Sequence, residues 1–115
     1  MKIELEVTVN GVDETITLEY NRDAIKSMEA KGFDFNHIGD KFVTNADLML
    51  EGALRMHHDK MNATIRKRVI DAIYEQYDAG ELYSQLVEMC MDSIPAIKDM
   101  QSDGNTEKKK SILIR

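Results

Sequence analysis

Thr44-Asn45-Ala46-Asp47-Leu48-Met49-Leu50-Glu51-Gly52-Ala53-Leu54-Arg55-Met56-His57-His58 reads as a helix that is apolar around most of its circumference. Ala46, Met49, Leu50, Ala53 and Met56 keep the i, i+3, i+4, i+7 spacing of one buried face, whereas Leu48, Gly52 and Leu54 fall outside that stripe. Such a helix needs cover on two sides, so either the rest of the domain wraps it or part of it is kept for a partner. Thr44 with Asp47 three residues on resembles a capping box and predicts a helix over residues 45–58.

On the N-terminal side, Ile3, Leu5, Val7 and Val9 alternate with Lys2, Glu4, Glu6 and Thr8, the period of a strand with one buried face. Asn10-Gly11 follows, the pair that best tolerates the positive φ of a two-residue hairpin turn. Val12, Ile16, Leu18 and Tyr20 continue beyond it, so residues 2–20 are expected to form a β-hairpin with one face on helices. Asn21 is the expected cap of a helix over residues 22–31 that buries Ala24, Ile25 and Met28 and stops at Gly32. Phe33, Phe35 and Ile38 are expected to plug the core from the connector that follows.

On the C-terminal side, Asn62 is expected to cap an amphipathic helix carrying Ile65, Val69, Ile70, Ile73 and Tyr77. Asp78-Ala79-Gly80 should break it. A last helix from Glu81 to about residue 100 carries Leu82, Leu86, Met89, Cys90, Ser93, Ile94 and Ile97 on one stripe and Tyr83, Val87 and Met91 on a second, with a kink expected at Pro95. From Gln101 onward apolar periodicity is lost, and a mobile polar and basic tail is expected over residues 101–115. Its ending, Ser111-Ile112-Leu113-Ile114-Arg115, reads first as an incidental terminus, with a docking strand and an addition to a sheet edge as the other readings.

The expected architecture is therefore α+β: an N-terminal antiparallel hairpin packed on about four α-helices, one domain over residues 1–100. The 115 residues suffice for one modest core. Net charge is −6, and because Asp103, Glu107, Lys108, Lys109, Lys110 and Arg115 give the tail +2, the first hundred residues carry −8. That balance argues against nucleic acid as a partner. No stretch approaches the ~20 apolar residues of a membrane span, and the N-terminus enters the strand pattern directly, so a cytoplasmic protein is expected. Cys90, the sole cysteine, reads as helix core, and Asn62-Ala63-Thr64 as an accidental glycosylation sequon.

Chemistry is hard to place on this chain. His57-His58-Asp59, with Asp47 or His37 beside it, is the one cluster that invites a metal, but adjacent helical residues point about 100° apart and serve one ion poorly. The ordinary reading is histidine at a helix C-terminus. No phosphate loop, HExxH, nucleophile elbow or CxxC is present, so neither an enzyme nor a cofactor is expected. A helix-turn-helix reading of residues 64–94 fails on charge, since its second helix would bring Glu81, Glu88 and Asp92 against phosphates. What remains is interaction. Eight methionines against three phenylalanines and four tyrosines suit adaptable apolar surfaces as well as core filling. The surplus apolar positions Leu48, Met49, Met56, Tyr83, Val87 and Met91 are the expected partner contacts. The hairpin edge is also where a second copy would pair, although Lys2, Glu4, Glu6 and Thr8 give it polar protection.

The order of elements resembles the tail assembly chaperones of long-tailed bacteriophages. The matching pieces are Leu18-Glu19-Tyr20-Asn21-Arg22, Ala24-Ile25-Lys26-Ser27-Met28-Glu29, Lys31-Gly32-Phe33-Asp34, Ile38-Gly39-Asp40-Lys41, Gly52-Ala53-Leu54-Arg55-Met56-His57-His58, Ile70-Asp71-Ala72-Ile73-Tyr74 and Leu86-Val87-Glu88-Met89. The resemblance implies a non-enzymatic protein of the bacterial host cytoplasm that coats the apolar, helix-rich tape-measure protein and helps recruit tail-tube subunits. It also implies a longer frameshifted product, for which Lys108-Lys109-Lys110 marks a candidate slippery run. The alternative is a small phage or prophage regulator that binds and inhibits a host protein.

Overall fold

The computed structural model describes residues 1–37 and 39–93. Ile38, the side chain of Phe35, the expected Pro95 kink and the expected mobile tail lie outside the described residues, and so does the last stretch of the domain expected to run to residue 100. The described part is α+β: an N-terminal two-stranded antiparallel sheet followed by four α-helices.

β1 (Ile3–Val9) and β2 (Val12–Leu18) pair with Val9 opposite Val12 and Ile3 opposite Leu18. Asn10 and Gly11 close the turn at φ 53° and 79°, the left-handed pair that matches the twist of the strands. Ile3, Leu5, Val7, Ile16 and Leu18 face inward and are buried. The turn end of β2 projects past the helices: Glu14, not an apolar residue, opposes Val7, and Val12 is 58% exposed.

α1 (Arg22–Ala30) starts as expected, with Asn21 Oδ1 accepting from the Ala24 N–H at 2.7 Å. Gly32, at φ 108°, turns the chain so that the Phe33 N–H reaches back to the Met28 carbonyl at 3.0 Å and the Phe33 ring enters the core. After a 3-10 turn at Phe35–His37 comes α2, Phe42–Leu54. It begins and ends earlier than the predicted 45–58, and the Thr44/Asp47 capping box does not form. Lys41 instead takes a left-handed conformation at φ 50°, and Asn45, buried inside the first turn, donates from Nδ2 to the carbonyls of Asp40 (2.6 Å) and His37 (3.4 Å). Asp47 is used elsewhere, accepting from the Tyr74 hydroxyl at 2.7 Å.

α3 (Ala63–Gln76) is capped by Asn62, whose Oδ1 accepts from the Ile65 N–H at 2.8 Å. Val69, Ile70, Ala72 and Ile73 are buried, but Ile65, expected on that face, is 43% exposed because the first turn overhangs its neighbours. α4 (Ala79–Ser93) starts before the predicted Glu81: Asp78 Oδ1 accepts from the Glu81 N–H at 2.9 Å, so Ala79 and Gly80 form the first turn rather than the break. Leu82, Leu86, Met89 and Cys90 are its buried stripe.

α2 is the hub, touching β2, α1, α3 and α4, while α3 lies along β1. The fully buried set, Leu18, Met28, Met49, Leu50, Leu54, Ile73, Leu86 and Met89 among others, draws on every α-helix and on the sheet. Each such side chain contributes about 1.5–3 kcal/mol on leaving water. Tyr20 supplies a polar stitch at the centre, donating its hydroxyl to the Met49 carbonyl at 2.8 Å. Its burial holds that hydroxyl far above the usual phenolic range.

Both sheet edges are partly occupied by side chains. The Gln76 amide pairs with Thr8 in both directions, accepting its N–H at 2.9 Å and donating to its carbonyl at 2.8 Å, and the Tyr77 hydroxyl donates to the Glu6 carbonyl at 2.8 Å. On β2, the Thr17 N–H donates to His58 Nε2 at 3.0 Å. Just beyond the strand, the Glu19 N–H reaches the Ala53 carbonyl at 3.1 Å. Pairing by a second copy, considered from the sequence, would have to displace these contacts or use the turn end of β2.

Candidate functional site

The six expected contact residues do not converge on one surface. Met49 is a correction: it is fully buried, together with Ala46, Leu50 and Ala53 at the centre of the α2 stripe, so it holds the core and offers nothing to a partner. Leu48, about 100° around the helix from it, is half-buried at the α1 side. Met56 lies beyond the end of α2 and is 44% exposed. Tyr83, Val87 and Met91 are half-buried on α4.

Leu48 and Met56 line a half-open groove of about 510 Å³. Its floor is Met28 of α1 and Gly52 of α2, where the absence of a side chain lets the helices approach. Asn21, Asp23, Ser27 and Lys31 form the α1 wall; Glu51, Arg55, His58 and Asp59 form the other, with Arg66 reaching in from α3. Lys31 pairs with Glu51 at 3.5 Å, and Arg66 donates to the Met61 carbonyl at 2.7 Å. Three cations (Lys31, Arg55, Arg66) face three anions (Asp23, Glu51, Asp59), so the groove is locally neutral on a strongly acidic protein. That mixture suits a few side chains of a peptide better than an apolar small molecule.

The second surface runs along α4. Tyr83, Val87 and Met91, four residues apart, form a shoulder about 80° wide between the buried stripe and the acidic edge of the helix. Phe42, 42% exposed at the start of α2, lies against Tyr83 with ring centroids 4.6 Å apart and extends the shoulder. None of these residues lines the groove.

The histidines act as clamps. His57 Nε2 meets Glu19 Oε1 at 2.7 Å, and that hydrogen bond holds the Glu19 carboxyl below its usual range. His58 accepts the Thr17 N–H through Nε2, so its ring is neutral there; burial, reinforced by neighbouring His57, lowers its pKa. His37 pairs with Asp34 at 2.7 Å, which raises the pKa of the histidine. The candidate ligands His57, His58, Asp47 and His37 are thus engaged at separate places, and no group of three or more His, Cys, Asp or Glu among the described residues is arranged to hold a metal ion. Cys90 is sealed in the core, its thiol pushed up to about 11 by burial. No helix among the described residues is long and apolar enough to cross a membrane.

Sequence reasoning missed three exposed apolar positions. Phe42 and Val43 (69% exposed) precede the predicted helix start and so escaped any face assignment. Ile65 joins Met61, His57 and His58 around a second, shallower depression on the other side of the 57–61 loop. The signal for it was available: Met61 and Ile65 are four residues apart, flanking the Asn62 cap.

A family model described as "Domain of unknown function (DUF5055)" matches residues 1–112, and the chain belongs to that family. Comparison with curated proteins and with solved structures gave no match.

Proposed function

We propose that this chain is a phage tail assembly chaperone: a non-enzymatic protein that holds the tape-measure protein and helps recruit tail-tube subunits in the cytoplasm of the bacterial host. The observation that supports it is apolar surface left over after the core is closed. Leu48 and Met56 line one face, and Tyr83, Val87, Met91 and Phe42 another. Around them lies an acidic exterior, with Glu4, Glu6, Asp13 and Glu14 exposed on the hairpin. A holder of apolar clients needs both: adaptable apolar contacts for binding and net charge to keep the loaded complex in solution.

The test is co-expression with a phage tape-measure protein, followed by affinity purification through the small chain. Met56→Asp, Val87→Asp and Met91→Asp are expected to abolish co-purification while far-UV circular dichroism still reports a folded chain. Undiminished retention of tape-measure protein by the folded triple variant would refute the assignment.

A further inference from the structure

Which chemistry the α4 shoulder recognises follows from what surrounds it. α4 carries Glu81, Glu88 and Asp92 and not a single lysine or arginine. At about 100° per residue, Glu88 lies about 60° beyond Met91 and about 100° from Val87, on the side away from the core, whereas Glu81 shares that edge of the helix but sits about 160° around from Tyr83, the stripe residue at its own level. Neither has an ion pair among the described residues. The helix therefore presents, in order around its circumference, a buried stripe, a half-buried apolar shoulder and an acidic edge.

We propose that this shoulder is a docking surface for an amphipathic helix whose apolar stripe is flanked by lysine or arginine. The four-residue spacing of Tyr83, Val87 and Met91 makes an i±4 ridge about 12 Å long, the feature that another helix packs against. Phe42 continues the floor beyond Tyr83. Glu88, on a net acidic protein, sets the sign of the partner's flank, and an acidic or phosphate-bearing partner is repelled. The proposal rests on the client-holding reading and names the client segment by its chemistry. The groove at Leu48 and Met56, locally neutral, carries no such sign.

The test titrates the full chain into a fluorescent synthetic helix of about five turns with a leucine stripe and lysine flanks, and into a twin with glutamate flanks, by anisotropy at low and high salt. The lysine helix is expected to bind at least about tenfold tighter at low salt, with the advantage shrinking as salt rises. Glu88→Gln should reduce that advantage, and Val87→Asp should remove binding, with the far-UV circular dichroism of a folded chain retained in both. Ile65→Asp, on α3 and outside both surfaces, should change nothing. Equal affinity for both helices, or indifference to the glutamate substitution, overturns the proposal. So does a dimer that Val87→Asp dissociates, which would make a second copy the occupant. Cross-links from Glu88 to Lys108–Lys110 that the lysine helix fails to displace would assign the surface to the chain's own terminal segment and equally overturn it. Binding of the lysine helix by a chain that retains no tape-measure protein keeps this inference and removes the chaperone reading. Retention of tape-measure protein with no preference for the lysine helix does the reverse.

Discussion

Gly52→Ala tests how closely α1 and α2 are packed, and its magnitude follows from two opposed effects. A Cβ at Gly52 would fall on Sδ and Cγ of Met28 and lie 3.7 Å from the Ala24 carbonyl oxygen. Met28 is only 1% exposed, so its side chain must give way into its core neighbours or toward the groove it floors. Replacing glycine inside a helix favours the helix by about 1 kcal/mol. Overpacking costs about 1–3 kcal/mol. The single variant is therefore expected to lose up to about 2 kcal/mol rather than gain. Met28→Ala alone should cost about 2–5 kcal/mol through the cavity it leaves. In the double variant the new methyl group enters the space vacated by the sulfur, so the overpacking disappears and the cavity is partly filled. The pair should then be less destabilised than the sum of the singles by about 1–3 kcal/mol. Urea unfolding of all four proteins reads this directly, provided the slope with denaturant is unchanged. Additivity within about 0.5 kcal/mol, or a full 1 kcal/mol gain from Gly52→Ala alone, would mean that Met28 does not rest on Gly52 and that the groove floor is built differently.

Met49→Ala and Met56→Ala should separate sharply: the first loses about 2–5 kcal/mol in urea unfolding and the second stays within about 0.5 kcal/mol, and equal costs would contradict their opposite burial. His58 has a folded-state pKa lowered from 6.5, so its contribution to stability is present above that value and lost as pH falls through the folded pKa, when Nε2 can no longer accept the Thr17 N–H. The raised pKa of His37 works in the opposite sense, so the readout is the difference in urea midpoint between wild type and His58→Gln from about pH 8 to about pH 5; a constant difference would refute the clamp. Cys90, buried and with its thiol pushed up to about 11, should react with a thiol reagent only at the rate of unfolding, and immediate labelling of the native protein would place it at the surface.

The hairpin was legible because alternation and Asn10-Gly11 are local signals, and the Asn21 and Asn62 caps were legible because a side-chain oxygen at that position has one obvious use. The start of α2 was not: nothing in a lysine announces φ 50°, and the role of Asn45 depends on the Asp40 carbonyl being folded over it. Gly80 read as a breaker, although Asp78 caps ahead of it and an early turn tolerates glycine. The histidine clamps join residues 38 and 41 positions apart, which no window along the chain reveals. For the candidate surfaces, the second stripe of α4 was visible in its spacing. Separating Met49 from Leu48 required knowing which flank of α2 the core takes.

The distribution of spare apolar area bears on how the proposed chaperone would hold a client without aggregating. A two-stranded sheet is all edge, and its free backbone groups are the usual route to uncontrolled pairing. Here the Gln76 amide and the Tyr77 hydroxyl cover β1 near the turn, and His58 covers β2 at the opposite end, while the outward face carries Glu4, Glu6 and Asp13. The spare apolar area lies instead on a helix shoulder and in a groove, where side chains can pack but no backbone ladder can propagate. Much of it is already half-buried: Tyr83, Val87 and Leu48 rest against the core. A client covering them gains only the remaining area, a fraction of the about 1.5–3 kcal/mol that a fully exposed side chain would contribute. Each contact is consequently weak, and retention of a long client must come from many copies acting along it. On the chaperone reading proposed above, that arrangement would favour release once the client's apolar face is taken up by its final neighbours.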